Sequence, residues 1–424
     1  MSFPSLGLSA PLLRAVAERG YTDPTAVQTA VIPEVLGGRD VWAKASTGSG
    51  KTAAFVLPIL EALGRRELTV PRRVHALILV PTRELAKQTS DAIASFRGYL
   101  PKRPKAVVIL GGVSINPQMM ELRGGADIVV ATPGRLLDLV TKNALSLAHV
   151  AQLVLDEADR LLDNGFADEL GRIVALLPQA RQTLLFSATF SPAVTQVASA
   201  LLRAPVHVDV TDAPADVPAI TQRAIEVDTP RRTQLLRHLL DTHPWPRVLV
   251  SVATTHATEH VAAKLHAAGI NAIALHGKQS QGARTRALEL FRASGVRVLV
   301  ATDLASRGLD ITGLPAVVNY DLPRSPTDYV HRIGRTGRAG EPGVAISFIT
   351  ADLRAHFALI EKTHAHYIVR ERLAGFAPVE EPAPVVELER PAATGLDPNG
   401  GVKGARKSKK DKLREAAART AGKP

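Results

Sequence analysis

A glycine-rich stretch near the amino terminus constrains this chain more than any other feature. It reads Ala45-Ser46-Thr47-Gly48-Ser49-Gly50-Lys51-Thr52, between a short apolar run and a predicted helix. Glycine adopts unusual dihedral angles without strain, so backbone N–H groups here could close around phosphate oxygens. Lys51 would reach the outer phosphates, and Thr52 would take one position on a Mg²⁺ ion. The stretch predicts a phosphate-binding loop, and a chance Gly/Ser-rich turn is the alternative.

The composition narrows the class of protein. The chain has 424 residues, which is too long for one core, so two or three domains are expected. It has no cysteine, which excludes disulfides and fits a reducing, cytoplasmic compartment. We find no signal peptide pattern and no apolar run long enough to cross a bilayer. The net charge of +12 suggests a polyanionic partner, with a merely basic soluble protein as the alternative.

Short apolar runs alternate with helical stretches through both halves of the chain. In the first half they are Val41–Ala43, Val74–Val80, Ala106–Leu110, Asp127–Ala131, Leu153–Leu155 and Thr183–Phe186. In the second half they are Val248–Val252, Ala272–Leu275, Val296–Ala301, Ala316–Asn319 and Gly343–Phe348. This pattern predicts an α/β fold of parallel sheets covered by helices, with ligands at the carboxyl ends of the strands.

An acidic motif, Asp156 to Asp159, follows one of these runs directly. An aspartate at the tip of a buried strand is costly unless it is paired or lies near a cation. Asp156 can hold Mg²⁺ through water, and Glu157 can orient and deprotonate an attacking water. Asp159 could bond to Ser187 or Thr189, which follow the next strand. An acidic helix start is the alternative, and the upstream phosphate loop favours catalysis.

Two residues upstream of the loop suit a purine base. Tyr21 could stack on the base, and the Gln28 amide has one donor face and one acceptor face, as the edges of adenine require. Alternatively, Tyr21 is a packing aromatic and Gln28 a surface residue. Their position just before a phosphate loop favours the nucleotide.

The second half has no phosphate loop of its own, but it carries His331-Arg332-Ile333-Gly334-Arg335-Thr336-Gly337-Arg338. Rigid guanidinium groups match phosphate oxygens, and one placed at a γ-phosphate raises the rate of hydrolysis by orders of magnitude. Supplied by a second domain, these arginines would make hydrolysis conditional on domain closure.

Two segments lack periodicity. Residues 209–219 are acidic and proline-rich, which predicts a linker between a domain at 1–208 and a domain at 220–370. Residues 371–424 cannot bury enough apolar surface to stay folded, so we expect a disordered tail. Its basic end would add salt-sensitive affinity for nucleic acid, and a tail that only aids solubility is the alternative.

With these residues laid out, the chain resembles the DEAD-box ATP-dependent RNA helicases, and more narrowly their bacterial RhlE branch. The resemblance runs from about Phe3 to about Ile349. It includes the Q motif at Gly20–Gln28, motif I at Ala45–Thr52, motif Ia at Pro81–Leu85, motif Ib at Thr132–Arg135, motif II at Asp156–Asp159, motif III at Ser187–Thr189, motif V at Thr302–Asp310 and motif VI at His331–Arg338. Residues 111–120 and 280–286 look particularly like the RhlE type.

The resemblance implies two tandem RecA-like domains with ATP and Mg²⁺ in the cleft between them and RNA on the opposite surface. The ATP would be held by Tyr21, Gln28, Ser46, Thr47, Gly48, Ser49, Gly50, Lys51, Thr52, Gly308 and Asp310. The metal residues would be Thr52 and Asp156, and catalysis would fall to Lys51, Asp156, Glu157 and two arginine fingers, Arg335 and Arg338. RNA contacts would come from Arg83, Gly112, Thr132, Arg135, Arg284 and Thr302, with Asp159, Ser187 and Thr189 coupling the two sites.

The function implied is RNA-stimulated ATP hydrolysis that unwinds short duplexes locally, in ribosome assembly or RNA decay. Partners would be RNA, ribosomal precursors and RNA-decay proteins. The alternatives are an ATP-gated RNA clamp that rarely unwinds, and a DNA helicase. Ser251 stands where motif IV of the family usually has a phenylalanine, and this change leans towards the clamp. The intact Glu157 and Arg335 favour the helicase.

Overall fold

Two parallel sheets of seven strands each form the frame of this protein. The computed structural model describes residues 2–45, 48–67, 69–163, 165–210, 220–303, 311, 313–337 and 342–379. The predictions made for Ser46, Thr47, Gly308, Asp310, Arg338 and residues 380–424 therefore lie outside the described residues.

The first sheet is built from the first half of the chain. Its strands are β1 (Val41–Ala45), β2 (Ala76–Leu79), β3 (Ala106–Ile109), β4 (Ile128–Ala131), β5 (Gln152–Leu155), β6 (Gln182–Ser187) and β7 (Val206–Val210). They lie in the order β3-β4-β2-β5-β6-β1-β7, and every pair is parallel. All seven carboxyl ends therefore meet at one edge.

The second sheet repeats this topology. Its strands are β8 (Ile220–Glu226), β9 (Val248–Val252), β10 (Ala272–Leu275), β11 (Val298–Thr302), β12 (Ala316–Asn319), β13 (Gly343–Ile349) and β14 (Arg370–Glu371). The order is β10-β11-β9-β12-β13-β8-β14, again parallel throughout. Each strand of the first sheet thus has a counterpart at the same place in the second, as tandem RecA-like domains require.

Helices cover both faces of the two sheets. Against the first sheet the described helices are α1 (Ala10–Glu18), α2 (Ala26–Leu36), α3 (Lys51–Gly64), α4 (Arg83–Arg97), α5 (Ile115–Glu121), α6 (Pro133–Thr141), α7 (Ala158–Asp163), α8 (Ala167–Ala175) and α9 (Pro192–Leu201). Against the second they are α10 (Arg232–Thr242), α11 (Thr255–Ala267), α12 (Gln281–Arg292), α13 (Pro326–Ile333) and α14 (Arg354–His364). None of the helices in the described ranges has the length and apolar content needed to cross a membrane.

Each strand contributes side chains to two hydrophobic cores because successive residues point to opposite faces. In β2, Ile78 packs with Phe55 of α3, whereas Leu77 and Leu79 pack into the core on the other face. All four side chains are fully buried. This two-sided burial explains why the strands read as continuous apolar runs in the sequence, and the strands predicted from those runs are confirmed.

Three strands were not predicted, because their side chains are partly polar. Strand β7 alternates Val206 and Val208 with exposed His207 and Asp209, as expected for an edge strand with one solvated face. Strand β8 carries Thr221 to Arg223, and β14 has only two residues. Strand β7 continues through Val210, two residues beyond the boundary placed at 208.

The tail predicted to begin at residue 371 is wrong for residues 371–379, which pack against the second sheet. The Glu371 carboxylate accepts hydrogen bonds from Arg223 at 2.6 and 3.0 Å. The Phe376 ring lies 5.3 Å from the His238 ring, and the Val379 amide donates to Asp228 at 3.0 Å. Composition alone did not reveal this packing, because one aromatic ring and a few polar bonds hold the segment.

Glu361 joins α14 to the segment that leads into β14. Its carboxylate accepts two hydrogen bonds from Arg370, at 2.7 and 2.8 Å, and one from the Ile368 amide at 2.8 Å. The hydrogen bonds from Arg370 lower the pKa of Glu361, although burial opposes this shift. A lowered pKa means that the carboxylate stabilises the fold above the pKa of the unfolded chain, about 4.3, and loses this contribution as the pH falls further.

We expect Glu361→Gln to lower the free energy of unfolding of the second half by about 1–3 kcal/mol at neutral pH, because bonds to a charged acceptor are lost. The difference should persist to pH 5 and shrink below pH ~4. Urea unfolding followed by Trp245 fluorescence, in a Trp42→Phe background, measures this half alone. Glu289→Gln, an exposed site, is the control, and a deficit that does not change with pH would contradict the assignment.

Candidate functional site

The phosphate loop connects β1 to α3. Gly48 and Gly50 adopt φ angles of 84° and 94°, and α3 begins at Lys51. A Cβ atom at Gly50 would lie 2.5 Å from the Gln28 side-chain nitrogen, so only glycine fits there. The Lys51 ammonium group is buried and donates to the Ala45 carbonyl at 3.1 Å. The loop thus offers the first turn of α3 and one buried cation to an anionic ligand.

The two base-binding candidates lie beside this loop. Gln28 forms a capping box with Thr25 at the start of α2, and its Nε2 donates to the Gly50 carbonyl at 3.2 Å. Both faces of the amide are therefore bonded within the protein, and the side chain is 4% exposed. Tyr21 is 39% exposed, and the Arg19 guanidinium lies 5.9 Å from its ring centroid. Tyr21 offers an open ring face, and Gln28 ties α2 to the phosphate loop.

One cavity brings most of the predicted nucleotide residues together. Its volume is about 740 Å³. The predicted residues that line it are Tyr21, Gln28, Gly48, Gly50, Lys51, Thr52, Asp156 and Glu157. Arg335 is not among them, and instead lines a smaller cavity together with Arg160. The large cavity pairs an exposed aromatic ring with a phosphate loop and two carboxylates, so its residues fit a purine nucleotide.

The acidic motif starts where β5 ends. Asp156 is 2% exposed, and burial raises its pKa to about 6, with the Lys51 charge opposing the rise and Glu157 adding to it. The Glu157 amide donates to Asp156 at 3.0 Å, and the residue adopts a φ of 52°, which is unusual for a side chain with a Cβ. Burying the Asp156 carboxylate costs free energy that a bound cation would offset. Carboxylate oxygens are ligands that Mg²⁺ prefers, so the residues present fit this ion.

Glu157 is engaged by a neighbouring arginine that the sequence reading did not single out. Arg160 Nη1 donates to Glu157 Oε2 at 2.8 Å, and both side chains are at most 6% exposed. The pair spans one turn at the start of α7, which is a favourable spacing for opposite charges. The carboxylate of the predicted catalytic base is thus held by protein contacts.

The predicted coupling residues contact each other. Thr189 Oγ1 donates to Asp159 Oδ2 at 3.4 Å, and Ser187 Oγ donates to the Thr189 carbonyl at 2.7 Å. Burial raises the pKa of Asp159. These bonds connect the end of β6 to the acidic motif, which is the geometry that a relay between the strands needs.

Arg332 acts as a scaffold in the second half, a role that its place among glycines and arginines did not reveal. Its guanidinium binds both carboxylate oxygens of Asp303, at 2.6 and 2.7 Å, and Asn319 Oδ1 at 3.2 Å. Asn319 is 1% exposed, so it needed a polar partner. The sequence signal for this contact was Asn319, a polar residue at the end of the apolar strand β12.

Ser251 lines a small cavity together with Arg332 in the second half. It is 3% exposed in β9, and it lines a cavity of about 10 Å³ together with Arg160, Asp303, Arg332 and Arg335. That volume is close to the space of one water molecule. The structure therefore shows little unfilled space where the family ring would be.

Four predicted RNA contacts meet at the carboxyl edge of the first sheet. Arg83, Gly112 and Thr132 follow the neighbouring strands β2, β3 and β4, and Thr132 Oγ1 accepts from the Gly111 amide at 3.1 Å. Arg135 donates to the Val113 carbonyl at 2.8 Å. A Cβ on Gly112, whose φ is 68°, would overlap the Arg83 guanidinium.

Arg284, from the second half, joins this group. Burial lowers the pKa of Arg83, and the charges of Arg284 and Arg135 lower it further, so three guanidinium groups lie near one another. Arg284 also forms an ion pair with Glu84 at 2.7 Å, and both side chains are nearly buried. Thr302, the sixth predicted contact, ends β11 and is 8% exposed. Like charges held this close indicate an anionic ligand.

Comparison with known proteins agrees with this geometry. A family model described as DEAD/DEAH box helicase matches residues 25–197, and one described as Helicase conserved C-terminal domain matches residues 231–340. The ATP-dependent rRNA helicase rrp3 of Emericella nidulans is 42% identical over 378 residues, which are 88% of this chain and 80% of that protein. The chain belongs to the DEAD-box family of ATP-dependent RNA helicases.

Other members of the DEAD-box family extend the comparison. The ATP-dependent RNA helicase DeaD of Mycobacterium tuberculosis is 42% identical over 350 residues, covering 82% of this chain and 61% of its own length. Yeast Dbp5 bound to RNA and ADP BeF3 is 31% identical, with a TM-score of 0.77 over 88% of this chain and 95% of that one. As a DEAD-box helicase, the protein is an RNA-dependent ATPase.

A second structure of Dbp5 is less similar to this DEAD-box helicase. The same yeast protein bound to nup159, gle1, ip6 and ADP gives a TM-score of only 0.57, although 87% of this chain and 95% of that one are covered. Within this chain, the ion pair between Glu84 and Arg284 joins the two halves.

We expect Gly112→Ala to weaken RNA binding about tenfold while ATP binding stays unchanged. The added Cβ disfavours the left-handed backbone by about 1–2 kcal/mol and displaces the Arg83 guanidinium. Fluorescence anisotropy with a single-stranded RNA measures the affinity. The control is Gly111→Ala, where a Cβ would lie 3.8 Å from Thr132 Oγ1 in ordinary contact. Equal RNA affinities for the two variants would contradict this account of the arginine cluster.

Proposed function

We propose that this helicase uses ATP hydrolysis, in the cavity beside the phosphate loop, to unwind short RNA duplexes locally and without moving along them. The observation that carries this proposal is the contact between Arg284 and Glu84. It connects α12 of the second half to the arginines that follow the first sheet, and α12 also reaches the nucleotide cavity through Arg292. RNA binding and closure around ATP therefore involve the same helix.

Binding of ATP follows from the residues that line the cavity. Tyr21 would stack on the adenine, and Lys51 would leave the Ala45 carbonyl to bind the outer phosphates. Thr52 and Asp156 would hold Mg²⁺, which when bound supplies positive charge against the β- and γ-phosphates. The roles of Ser46, Thr47, Ser49, Gly308 and Asp310 in nucleotide binding are part of the same proposal.

Hydrolysis needs a base, and Glu157 is placed to serve. Its carboxylate would accept a proton from a water whose oxygen attacks the γ-phosphorus, while the bond to ADP breaks. Arg160 holds this carboxylate in place between turnovers. Arg335 and Arg338 would neutralise the charge that develops on the phosphate, and Asp159, Ser187 and Thr189 would couple the change to RNA.

The RNA backbone would be bound by the arginine cluster at the carboxyl edge of the first sheet. Arg83 and Arg135 suit phosphate oxygens, and Gly112 lets the backbone approach. Arg284 would bring the charge of the second half to the same strand. Thr132 and Thr302 would complete the contacts from the two sheets. The intact Glu157 and Arg335 favour unwinding over a passive clamp, since a clamp could lose them.

The biological setting is proposed from resemblance to other helicases. Residues 111–120 and 280–286 resemble the RhlE branch, and the relative rrp3 is named an rRNA helicase. We place this protein in the cytoplasm, acting on ribosomal precursors or with RNA-decay proteins. Its two domains would extend to Val210 and from Ile220 to Val379.

Steady-state ATP hydrolysis with no nucleic acid, with single-stranded RNA and with matched DNA tests the function. We expect stimulation by RNA alone, followed by unwinding of a short RNA duplex. Glu157→Gln should lose about 100-fold or more in turnover but keep ATP and RNA binding, since only the base is removed. Asp168→Asn, at an exposed acidic residue of α8, is the control. Unchanged turnover in Glu157→Gln would remove this residue as the base.

The carboxyl-terminal basic segment should add affinity without specificity. Deleting residues 398–424 is expected to weaken RNA binding and reduce its dependence on salt, because phosphate contacts release counterions. ATP hydrolysis at saturating RNA should stay the same. RNA titrations at several salt concentrations measure the affinity and its salt dependence. Identical salt slopes with and without the segment would contradict this prediction.

A further inference from the structure

A second basic surface lies on the first sheet, away from the arginine cluster. It is formed by the segments that precede β2, β3 and β4, namely residues 65–67, 69–75, 101–105 and 121–127, and we name it the amino-edge surface. Its basic residues are Arg65, Arg66, Arg72, Arg73, Lys102, Arg103, Lys105 and Arg123. Its acidic residues are Glu67, Glu121 and Asp127, so the surface has a net charge of +5 against +12 for the whole chain.

A buried aspartate holds the three segments together. Asp127 is 1% exposed, forms an ion pair with Arg72, and accepts from the Lys105 amide at 2.7 Å. The Arg72 amide in turn donates to the Gly124 carbonyl at 3.0 Å. Lys105 Nζ donates to the carbonyls of Glu121 and Arg123 at 2.6 and 3.1 Å. The surface is therefore a fixed platform of three hydrogen-bonded loops.

Most of the positive charge on this platform is directed to solvent. Arg65 and Arg72 have ion-pair partners, Glu61 and Asp127. The other six basic residues form no ion pair with any residue that the structure describes, and all except Lys105 are exposed. These cations on one surface carry the same sign of charge, so an anionic partner would reduce the repulsion among them.

This surface is separate from the RNA site already described. Strand β4 runs from the platform at Asp127 to Thr132, a distance of about 17 Å at 3.3 Å per residue. All strands are parallel, so the platform lies at the amino edge and the arginine cluster at the carboxyl edge. A short strand bound at the carboxyl edge does not reach both.

We propose that the amino-edge surface binds the phosphate backbone of RNA flanking the strand held at the carboxyl edge. The proposal rests on the RNA-binding function above and extends it to a second contact. RNA is favoured over an acidic protein because the platform has basic groups without aromatic anchors. Its exposed large apolar residue is Val70, at 97%, whereas protein interfaces depend on buried aromatic side chains. Sequence-independent binding of a polyanion needs only such a charged surface.

The test compares two triple variants of the full chain. Arg73→Gln/Arg103→Gln/Arg123→Gln removes three exposed charges whose side chains make no described hydrogen bond, so the fold should be kept. Arg172→Gln/Lys264→Gln/Lys362→Gln removes the same charge from exposed sites elsewhere. The probes are a short single-stranded RNA and a hairpin carrying the same strand as an extension.

For the first variant we expect hairpin affinity to fall tenfold or more and the slope of log affinity against log salt to fall by about two to three. Binding of the short strand, and the ATPase activity that it stimulates, should match the control variant. Equal hairpin affinity and slope for the two variants would overturn the proposal and leave the platform to an acidic protein. Wild-type protein that no RNA stimulates would instead refute the proposed function, whatever the hairpin result.

Discussion

Parallel strand pairing is the constraint on which the rest of this protein depends. In a parallel sheet every strand delivers its carboxyl end to one edge, so residues far apart in the chain become neighbours without any long loop. Lys51 follows β1, Asp156 follows β5 and Thr189 follows β6, and these strands lie side by side in the order β5-β6-β1. The same rule brings Arg83, Gly112 and Thr132 together after β2, β3 and β4. Two sites thus share one edge, and the strand order keeps them apart.

The nucleotide cavity and the arginine cluster each place charges of the same sign near one another, which is unfavourable without a ligand. Burial and the neighbouring Glu157 carboxylate raise the pKa of Asp156 to about 6, and the Lys51 charge and the hydrogen bond from the Glu157 amide oppose the rise. Burial and two other arginines lower the pKa of Arg83. In each case a ligand of opposite charge would remove the unfavourable term: in the proposed function, a cation with nucleotide phosphates at the first site and an RNA backbone at the second. The electrostatics of both sites would then be complete only with the ligands bound.

Much of this arrangement could be predicted because the decisive residues follow apolar strands directly. The spacing of Gly48, Gly50 and Lys51 and the position of Asp156 depend only on local order, and the nucleotide cavity contains them. Contacts between distant segments could not be predicted. The pairing of Glu84 with Arg284 joins residues 200 positions apart, and Arg332 binds Asp303 and Asn319 across two strand ends. Charge and residue type do not reveal which of many arginines meets which acid.

The contacts of Gln28 and of residues 371–379 could not be read from residue type. Binding of adenine by the Gln28 amide stays a prediction, and the amide also bonds to Thr25 and Gly50, because a capping box needs a side chain of the same kind. Residues 371–379 look like the start of a disordered tail by composition. Phe376 and the pair of Glu371 with Arg223 nonetheless fix them on the second sheet. A residue type suits several local environments, and tertiary contacts select among them.

The arginine cluster would also explain how RNA can favour closure. Arg284, from the second half, lies near Arg83, and Glu84 compensates part of its charge. With the RNA-binding role proposed above, a phosphate at the cluster would meet three guanidinium groups while the second half is docked and two without it, so it would bind the docked form more tightly. Linkage is reciprocal, so RNA must stabilise docking by the same free energy that docking adds to RNA binding. Because α12 carries both Arg284 and Arg292, which lines the nucleotide cavity, that free energy also acts on the closed nucleotide site.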